Sequence, residues 1–445
     1  MISVTRMEEL FTTLLETKAD ELARSTGFVQ RARKLSGADF VQILTFGHLR
    51  APNSSLDQLT QVAQLRDVQI SSSGLHQRLT ESAARFLQAV LEEVVGQVLA
   101  AEPVEIALLK RFSQVVIEDS STVALPAELK ELWPGCGGRN KPTDPEHGEA
   151  VLKLHVRWDL RSGALWGPKL TAGRVSDQNS PWNEEPLPKG SLYVADLGYL
   201  NLERFRTFGQ GKIYFASRIK SHMVMADRQG KRINLLTALP QRVGQSKVLR
   251  VQVGWRKPMP LRLLAVRVPD EVVEQRRNVL QEQARKHGRQ ISQLQWELAK
   301  WTLLLTNAPA KVIGVAEGLV LMRARWAIEM LFKLWKSEGQ IDEWRSPHRW
   351  RVLCELYSKL IAMVIQHWLL ILGCWQDPYR SLVKAAQVIR SLALDWVEVL
   401  MGQRHFPDVE RKMRRLMQSG CRVNHRATDP CLAQLLLDGL DWTLT

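Results

Sequence analysis

One acidic residue in the second half of the chain is surrounded by basic residues at helical spacing. The stretch Met322–Lys336 repeats apolar residues with the period of a helix, and neither Pro nor Gly interrupts it. At about 100° per residue, one face of this helix carries the following residues: Met322, Arg325, Glu329, Lys333 and Lys336. A carboxylate there could hold a metal ion while cations one turn away bind phosphate oxygens. Salt-bridged pairs on a solvated helix face are the alternative.

The order of these residues resembles the signature of the insertion-sequence-four family of bacterial transposases. That signature reads Tyr, two residues, Arg, three residues, Glu, six residues, Lys, and Arg325, Glu329 and Lys336 match its last three positions. Met322 stands where the family has a Tyr that helps to grip the phosphate beside a flipped base. The resemblance implies that Glu329 is a catalytic acid. It also implies that Arg325 and Lys336 contact DNA. Lys333, on the same helix face as Glu329, is a further cation that would bind the flanking phosphates.

Two aspartates follow short apolar runs earlier in the chain. The β-branched run Ser113–Ile117 predicts a buried strand that is broken at Ser120–Thr122, so that Asp119 lies at the end of the strand. The run Leu192–Ala195 predicts another strand, with Asp196 at its exit. By itself, an Asp such as Asp119 at the end of a strand is often a turn residue that accepts hydrogen bonds from the following backbone.

The same resemblance assigns roles to these aspartates. Asp119, before a Ser/Thr pair and Leu-Pro, matches the first catalytic Asp of the family, and Asp196, before Leu-Gly-Tyr, matches the second. Asp177 is the competing second acid, although no strand directly precedes it. Glu118 is a weaker candidate because successive strand residues point to opposite faces.

A cluster of Asp119, Asp196 and Glu329 would need cations, because carboxylates at close range repel one another. The expected cofactor is Mg²⁺, with Mn²⁺ as a substitute. In a two-metal arrangement, one ion activates water or a DNA 3′-hydroxyl and the other stabilises the leaving oxygen. We expect Asp119 to bridge the two ions.

The strands around the aspartates predict an α/β fold. The runs Ala150–Trp158 and Ala164–Leu170 form an antiparallel meander with the first strand, and a helix near Leu200 follows the strand at Leu192–Ala195. This order is that of a ribonuclease H-like catalytic core, in which neighbouring central strands bring two acids together.

A β-rich insertion is expected between the second and third acids. Short alternating runs from residue 205 to 310 predict a small basic sheet that includes Arg218, and Asp270–Lys300 predicts one long polar helix. Such an insertion is a hallmark of the resembling family, whose hairpin-forming members use a Trp there to stack a flipped base. Trp301 is the first candidate for this Trp and Trp255 the second. Burial in a sheet core is the alternative for both.

The N-terminal region predicts a helix-turn-helix. Leu56–Leu65 has helical periodicity, and Ser71–Ser73 would cap a second helix that contains Leu75, Leu79 and Phe86. The second helix could present four residues to a DNA groove: Ser73, His76, Gln77 and Arg78. An ordinary helical bundle is the alternative.

Five regions follow from these patterns. They are an N-terminal helical DNA-binding domain at 1–105, a first core part at 106–204, the β-rich insertion at 205–310, a second core part at 311–375 and a C-terminal helical region at 376–445. The helical regions therefore flank the core on both sides.

Composition favours a polyanionic partner. The 445 residues include 61 Lys and Arg against 46 Asp and Glu, a net charge of +15, which favours nucleic acid over a membrane surface. The apolar stretch Leu360–Leu372 is interrupted by polar residues and predicts a buried helix. Five scattered cysteines fit a reducing cytoplasm, and Cys421, His425 and Cys431 lack an evident fourth zinc ligand.

The resemblance therefore implies a bacterial DNA transposase. We expect it to cut an insertion element at its ends and join it to target DNA by metal-dependent phosphodiester hydrolysis and strand transfer. The expected partners are double-stranded DNA and a second copy of the chain, in the bacterial cytoplasm at the nucleoid and away from membranes. The alternatives are a metal-dependent nuclease without strand transfer and a catalytically inactive DNA-binding derivative.

Overall fold

The chain has a mixed α/β fold. The computed structural model describes residues 2–31, 35–136, 148–254, 256–424 and 431–438. The helices of these residues are α1 (Val4–Thr12), α2 (Lys18–Ser25), α3 (Gly37–Arg50), α4 (Leu56–Leu65), α5 (Ser72–Arg78), α6 (Glu81–Gly96), α7 (Leu202–Gln210), α8 (Leu235–Ala238), α9 (Asp270–His287), α10 (Gln293–Leu298), α11 (Val315–Ala324), α12 (Trp326–Lys333), α13 (Arg349–Cys374), α14 (Leu382–Ser391), α15 (Ala393–Leu400), α16 (Phe406–Gly420) and α17 (Leu432–Asp438). The strands are β1 (Val115–Leu125), β2 (Ala150–Asp159), β3 (Leu165–Ala172), β4 (Leu192–Ala195), β5 (Tyr214–Arg218), β6 (Met225–Ala226), β7 (Ser246–Val253), β8 (Met259–Arg267) and β9 (Trp301–Thr306).

The chain divides into two compact units. The helical unit consists of Met1–Val104, Ser120–Ser176 and Ile328–Asn424. The sheet unit consists of Glu105–Asp119, Asp177–Ala327 and His425–Thr445. Strand β1 and helix α12 each contribute residues to both units.

The sheet unit is built on a mixed sheet with the strand order β1-β4-β5-β9-β8-β7-β6. Strands β1, β4 and β5 run parallel, whereas β9, β8, β7 and β6 are each antiparallel to the strand before them. One face of the sheet packs into an apolar core, where the rings of Phe205 and Phe215 stack with centroids 4.0 Å apart. Apolar burial on this face fixes the register, because a slip of one residue would turn the buried side chains to the other face.

The helical unit surrounds α13. Every residue from Val352 to Leu372 is buried, and α13 contacts α3, α6, α14 and α16. His48 Nδ1 on α3 lies 2.8 Å from the hydroxyl of Ser358 on α13, so these two buried side chains are hydrogen-bonded to each other. Burial lowers the pKa of His48 to about 3. The unit also holds the antiparallel pair β2 and β3.

Helix α13 is the one described helix long and apolar enough to cross a membrane by length and composition. Within its most apolar window, 94% of the residues are buried inside the structure. Core helices of this kind meet the same length and composition criteria as membrane spans. The buried helix that the sequence predicts around Leu360–Leu372 is confirmed.

Strand β1 is longer than the sequence pattern predicts. It continues through Ser120–Thr122 as far as Leu125. Val123 and Leu125 are buried at alternate positions, and the half-buried Ser and Thr side chains between Asp119 and Val123 are compatible with a strand. The prediction that Asp119 ends this strand was therefore wrong, since Asp119 lies within it.

Several other elements differ from their predictions. The second helix of the predicted helix-turn-helix is two helices, because Thr80 caps α6 by accepting a hydrogen bond from Ala83 N–H. The helix predicted over Asp270–Lys300 is broken at Gly288, which has a φ of 61° in the left-handed region and closes α9. The run that contains Leu235 forms the short helix α8 where a strand was predicted, because Asn234 caps it.

The central helix is bent. A turn at Arg325 separates α11 from α12, and α12 continues into a π-helical turn at Leu334–Glu338. A π turn contains more residues than an α turn, so it displaces Lys336 from the face that a regular helix predicts. Met322 is only 6% exposed and therefore faces the interior, contrary to its predicted place on the polar face.

Candidate active site

Two aspartates of the sheet unit belong to neighbouring strands, Asp119 within β1 and Asp196 directly after β4. The parallel ladder between β1 and β4 pairs Ile117 with Val194. The backbone of Asp196 is still extended, with a φ of -82° and a ψ of 174°, so we infer that this register, continued by two residues, sets Asp196 beside Asp119 at the strand spacing of about 4.8 Å. Val116, Tyr193 and Ala195 belong to the apolar core, so the alternation of side chains puts both aspartates on the opposite face.

Arg325 binds the first of these aspartates. Its Nη1 donates to Asp119 Oδ2 at 3.3 Å, with side-chain exposures of 10% for Arg325 and 20% for Asp119. The chain reaches this position through α11, which ends one residue before Arg325. A fixed guanidinium next to an accessible carboxylate combines a metal-binding group with a phosphate-binding group.

The second aspartate has a side-chain oxygen that accepts no hydrogen bond from the described residues. Asp196 immediately follows β4, and its backbone carbonyl accepts a hydrogen bond from Tyr199 N–H at 3.1 Å. Its Oδ1 is buried and lacks a hydrogen-bond partner among the described residues. A buried acceptor without a donor is costly, and a carboxylate oxygen of this kind is the ligand that hard divalent cations prefer.

Asp177 lies against the turn that follows Asp196. A side chain at position 198 would place its first carbon atom 3.2 Å from Asp177 Oδ2. A larger residue in place of Gly198 would therefore have to move the Asp177 side chain by a few tenths of an ångström. The structure brings both candidate second acids to the same turn region, while Asp196 is the one beside Asp119.

A buried ion pair lies on the opposite face of β1. Glu118 is fully buried, accepts from Arg204 Nη2 at 3.1 Å and accepts from the hydroxyl of Ser180 at 2.6 Å. Arg204 also donates to Tyr193 OH at 2.9 Å. Burial by itself would lower the pKa of Arg204, but Tyr193 and Glu118 raise it. This network connects β1, β4, α7 and the Ser180 turn, and no sequence pattern predicts the pairing of Glu118 with Arg204.

The remaining residues of the signature belong to the helical unit. Glu329 is half-buried on α12, and Lys333 at the end of that helix is exposed. Lys336 is half-buried, and its amine donates to the carbonyl of Thr122 at 2.7 Å. Trp326, also on α12, is 57% exposed.

No three His, Cys, Asp or Glu residues in the described part of the chain form a group that could hold a metal ion. Asp119 and Asp196 are a pair within the sheet unit. His425, which the sequence analysis considered with Cys421 and Cys431, lies outside the described residues.

Arg218 is close to the aspartate pair in the sheet. The ladder pairs Ala195 with Ser217, so the next position sets Asp196 beside Arg218. Arg218 is exposed at the end of β5. Burial, followed by the charge of Arg218, lowers the pKa of Arg276 to about 10.

Trp301 and Arg78, two further candidates for DNA contact, differ in their exposure to solvent. Trp301 is 5% exposed in the apolar core, and its indole N–H donates to the Pro240 carbonyl at 2.6 Å. A base could stack on Trp301 only if these contacts broke. Trp255 lies outside the described residues. Arg78 lies on α5 with Gln77 and lines an open cavity of about 590 Å³.

Comparison with known protein families shows which family this chain belongs to. Residues 110–365, more than half of the chain, match the family described as the transposase DDE domain. The chain belongs to the DDE transposase family. The matched range contains the aspartate pair, Arg325 and all of α12.

Individual transposases also resemble this chain over most of its length. The transposase for insertion sequence element IS231C of Bacillus thuringiensis subsp. berliner is 27% identical over 381 residues, which is 80% of this chain and 78% of the relative. The transposase for IS1151 of Clostridium perfringens is 22% identical over 78% of this chain and 76% of its own length. The transposase for IS421 of Escherichia coli is 25% identical over 77% of this chain and 88% of its own length.

The protein is therefore a DNA transposase, and the transposase family generally uses divalent metal ions. The residues present fit such an ion in two respects. Asp119 and Asp196 supply carboxylate oxygens on one face of the sheet, and Asp196 Oδ1 is a buried acceptor without a donor in the part of the chain that the structure describes. Carboxylate oxygens suit Mg²⁺ or Mn²⁺ better than they suit softer metals.

Proposed function

We propose that this transposase cuts an insertion element at its ends and joins it to target DNA, with Asp119, Asp196 and Glu329 as its catalytic acids. The observation that carries the proposal is the pair of aspartates on one face of β1 and β4, with Arg325 bound to the first. The relatives are named as transposases for insertion sequence elements, which supports the same substrate.

The proposed scaffold is a ribonuclease H-like core with a β-rich insertion. Its support is the parallel arrangement of β1, β4 and β5 next to the antiparallel strands β7, β8 and β9. In this proposal, residues 106–204 and 311–375 form the core, 205–310 form the insertion, and the helical regions 1–105 and 376–445 flank them.

The proposed cofactor is Mg²⁺, with Mn²⁺ as a substitute, held by Asp119, Asp196 and Glu329. When bound, the metal would supply a nucleophilic oxygen at neutral pH and charge neutralisation on the leaving oxygen. The carboxylates would orient this chemistry on one side of the sheet. Arg325 would hold the scissile phosphate close to Asp119, since a guanidinium binds phosphate oxygens through paired N–H groups.

Other cations would bind the flanking DNA. Lys333 is exposed and Lys336 is half-buried, so both could contact phosphates near the cut. Arg218 is beside Asp196 in the sheet register, and Arg78 on α5 would contact DNA through the N-terminal helices. The proposed active form is a homodimer on double-stranded DNA at the bacterial nucleoid.

A labelled-end assay tests the proposed reaction. The substrate is a duplex that carries a terminal inverted repeat read from the DNA beside the gene, followed by flanking DNA. The strand whose 3′-hydroxyl the nick frees is labelled at its 5′ end, and the duplex is mixed with plasmid target and Mg²⁺. We expect both a nicked product and a joined product in which the label is transferred to the plasmid. Cleavage without joined product would indicate a nuclease. Binding without cleavage would indicate an inactive DNA-binding derivative.

A further inference from the structure

Two arginines lie directly opposite each other in the sheet unit. The antiparallel ladder between β7 and β8 pairs Arg250 with Arg262, and the ladder between β8 and β9 continues the row to Thr306. Residues opposite each other in this way have Cβ atoms about 5 Å apart, and like charges in such a pair destabilise the sheet. The sequence therefore keeps an unfavourable pair at this position.

The charges of this pair are not balanced by acids. No carboxylate in the described part of the chain lies within ion-pair distance of Arg250, Arg262 or the neighbouring Arg228. Arg262 Nη1 donates to the carbonyls of Ala308 and Ile313 at 2.7 and 3.0 Å. These neutral acceptors hold the guanidinium in position but do not neutralise its positive charge. Burial, followed by the charge of Arg250, lowers the pKa of Arg262.

These residues line a groove. Its volume is about 170 Å³, and we name it the arginine groove; its polar lining consists of Arg228, Arg250, Gln252, Arg262, Thr306 and Asn307. Arg228 and Arg250 are exposed, so a ligand can reach them from solvent. Three arginines and two amide side chains line this groove, a set of donors that can bind an oxyanion.

The groove faces the same side of the sheet as the aspartates. The row that contains Arg250, Arg262 and Thr306 continues through Ala216 on β5 to Val194 on β4. Val194 lies two residues before Asp196, and alternate residues of a strand share a face. Four strand spacings of about 4.8 Å separate β1 from β8, so the groove lies on the order of 20 Å from the aspartates.

We propose that the arginine groove binds a phosphate of the DNA backbone, on the strand that passes the aspartate pair. This inference rests on the proposed function, because the phosphate must belong to the DNA on which the transposase acts. Val194, Ala216 and Thr306 between the aspartates and the groove are buried, and α11 packs against β4, β5 and β8, so the DNA would reach the groove across α11. The bound phosphate would neutralise the repulsion between Arg250 and Arg262, so folding and DNA binding are coupled here.

The test uses Arg250→Gln in the full-length chain. Loss of one phosphate contact should reduce the slope of log affinity against log salt by about one and weaken binding several-fold. Without DNA at low salt, the same variant should have a higher Tm than the wild type, because one of two opposed charges is removed. A residue with a purely structural role would not combine weaker binding with higher stability.

Arg242→Gln is the matched control. Arg242 is an exposed arginine of the sheet unit outside the groove, so its replacement makes the same change in net charge. We expect the control to keep the wild-type Tm and to change the salt slope less than Arg250→Gln does. Equal slopes for the two variants would overturn the proposal, since they would show a general charge effect.

Two further experiments distinguish a phosphate of the DNA backbone from a free phosphate ion. A duplex with a single neutral methylphosphonate, moved along each strand, should weaken wild-type binding at the position of the phosphate that the groove binds. Arg250→Gln should be insensitive at that position. If inorganic phosphate raises the Tm of the wild type but no methylphosphonate position depends on Arg250, the groove binds a free anion and the DNA proposal fails.

The result for the arginine groove can be distinguished from the result for the proposed reaction. If the wild type cleaves and joins DNA but Arg250→Gln has the wild-type salt slope, the groove proposal fails and the proposed function stands. If Arg250→Gln shows the reduced slope but no cleavage is observed with wild-type protein, the groove is a DNA site and the proposed reaction fails.

Discussion

Two adjacent acids on β1 have opposite environments. Glu118 is fully buried and is bound by Arg204 and by the hydroxyl of Ser180 at 3.1 and 2.6 Å. Asp119, the next residue, is 20% exposed and accepts a hydrogen bond from Arg325 Nη1 at 3.3 Å. The alternation of strand side chains separates them, because consecutive residues point to opposite faces of the sheet.

The difference shows how one strand can serve stability and chemistry together. A buried carboxylate with short hydrogen bonds fixes the position of the strand, and breaking its pair leaves a buried charge. An accessible carboxylate with a longer contact can exchange that contact for a metal ion or a substrate. Glu118 therefore holds β1 in place, while Asp119 lies partly exposed on the other face.

The largest expected effect is the loss of cleavage in Asp119→Asn. Residues that only support a metal ligand typically contribute about 10- to 100-fold to activity, so removing a ligand should cost more than about a hundredfold. Strand cleavage in Mg²⁺ measures the loss, while DNA affinity and Tm should stay close to wild type. Glu271→Gln, an exposed acid in the first turn of α9, is the control and should cleave normally. Cleavage retained by Asp119→Asn would remove Asp119 from the site.

Glu118→Ala should mainly lower stability. The substitution leaves the guanidinium of Arg204 buried without its carboxylate, which costs about 3–5 kcal/mol in the free energy of unfolding. Urea unfolding followed by circular dichroism measures this cost. The double variant Glu118→Met with Arg204→Met should recover most of it, since apolar replacement of a buried pair is often neutral. A cost for Glu118→Ala below about 1 kcal/mol would show that the pair does not fix β1.

Asp196→Asn should affect metal binding rather than folding. Without metal, the variant should be at least as stable as the wild type, because Asp196 Oδ1 lacks a donor among the described residues. With Mn²⁺ at about a hundred times its Kd, a bound ion should stabilise the wild type by about 2.7 kcal/mol and the variant far less. Thermal unfolding with and without Mn²⁺ measures the difference. Glu203→Gln is the control, since Glu203 is a largely exposed acid of the same unit. Equal stabilisation of both proteins by Mn²⁺ would place the metal elsewhere.

The sequence predicts local elements of this molecule well. Helix α4 has the predicted bounds because Ser55 caps it and Gln58 completes a capping box. Strand β4 also has its predicted bounds, since four apolar residues end at a polar turn. The exit of β4 and the alternation of Glu118 and Asp119 are local features, so the candidate acids could be selected from the sequence.

Long-range contacts could not be predicted in the same way. Glu118 and Arg204 are 86 residues apart, and nothing in either segment indicates their pairing. The π turn at Leu334–Glu338 changes the direction of Lys336 without a Pro or Gly to indicate it. Trp301 has the same β-strand signal whether it is exposed or buried, and its burial depends on the packing of the whole sheet.

The smallest expected effect compares the two lysines of the central helix. Lys333→Gln should reduce the salt slope of DNA binding by about one and leave stability unchanged, because Lys333 is exposed. Lys336→Gln should reduce the slope similarly and also cost about 1–2 kcal/mol of unfolding free energy, because its amine donates to the Thr122 carbonyl on β1. Filter binding at several salt concentrations and urea unfolding measure the two effects. A wild-type salt slope for Lys336→Gln would assign Lys336 to the support of β1 alone, together with Glu118 and apart from the DNA-binding residues.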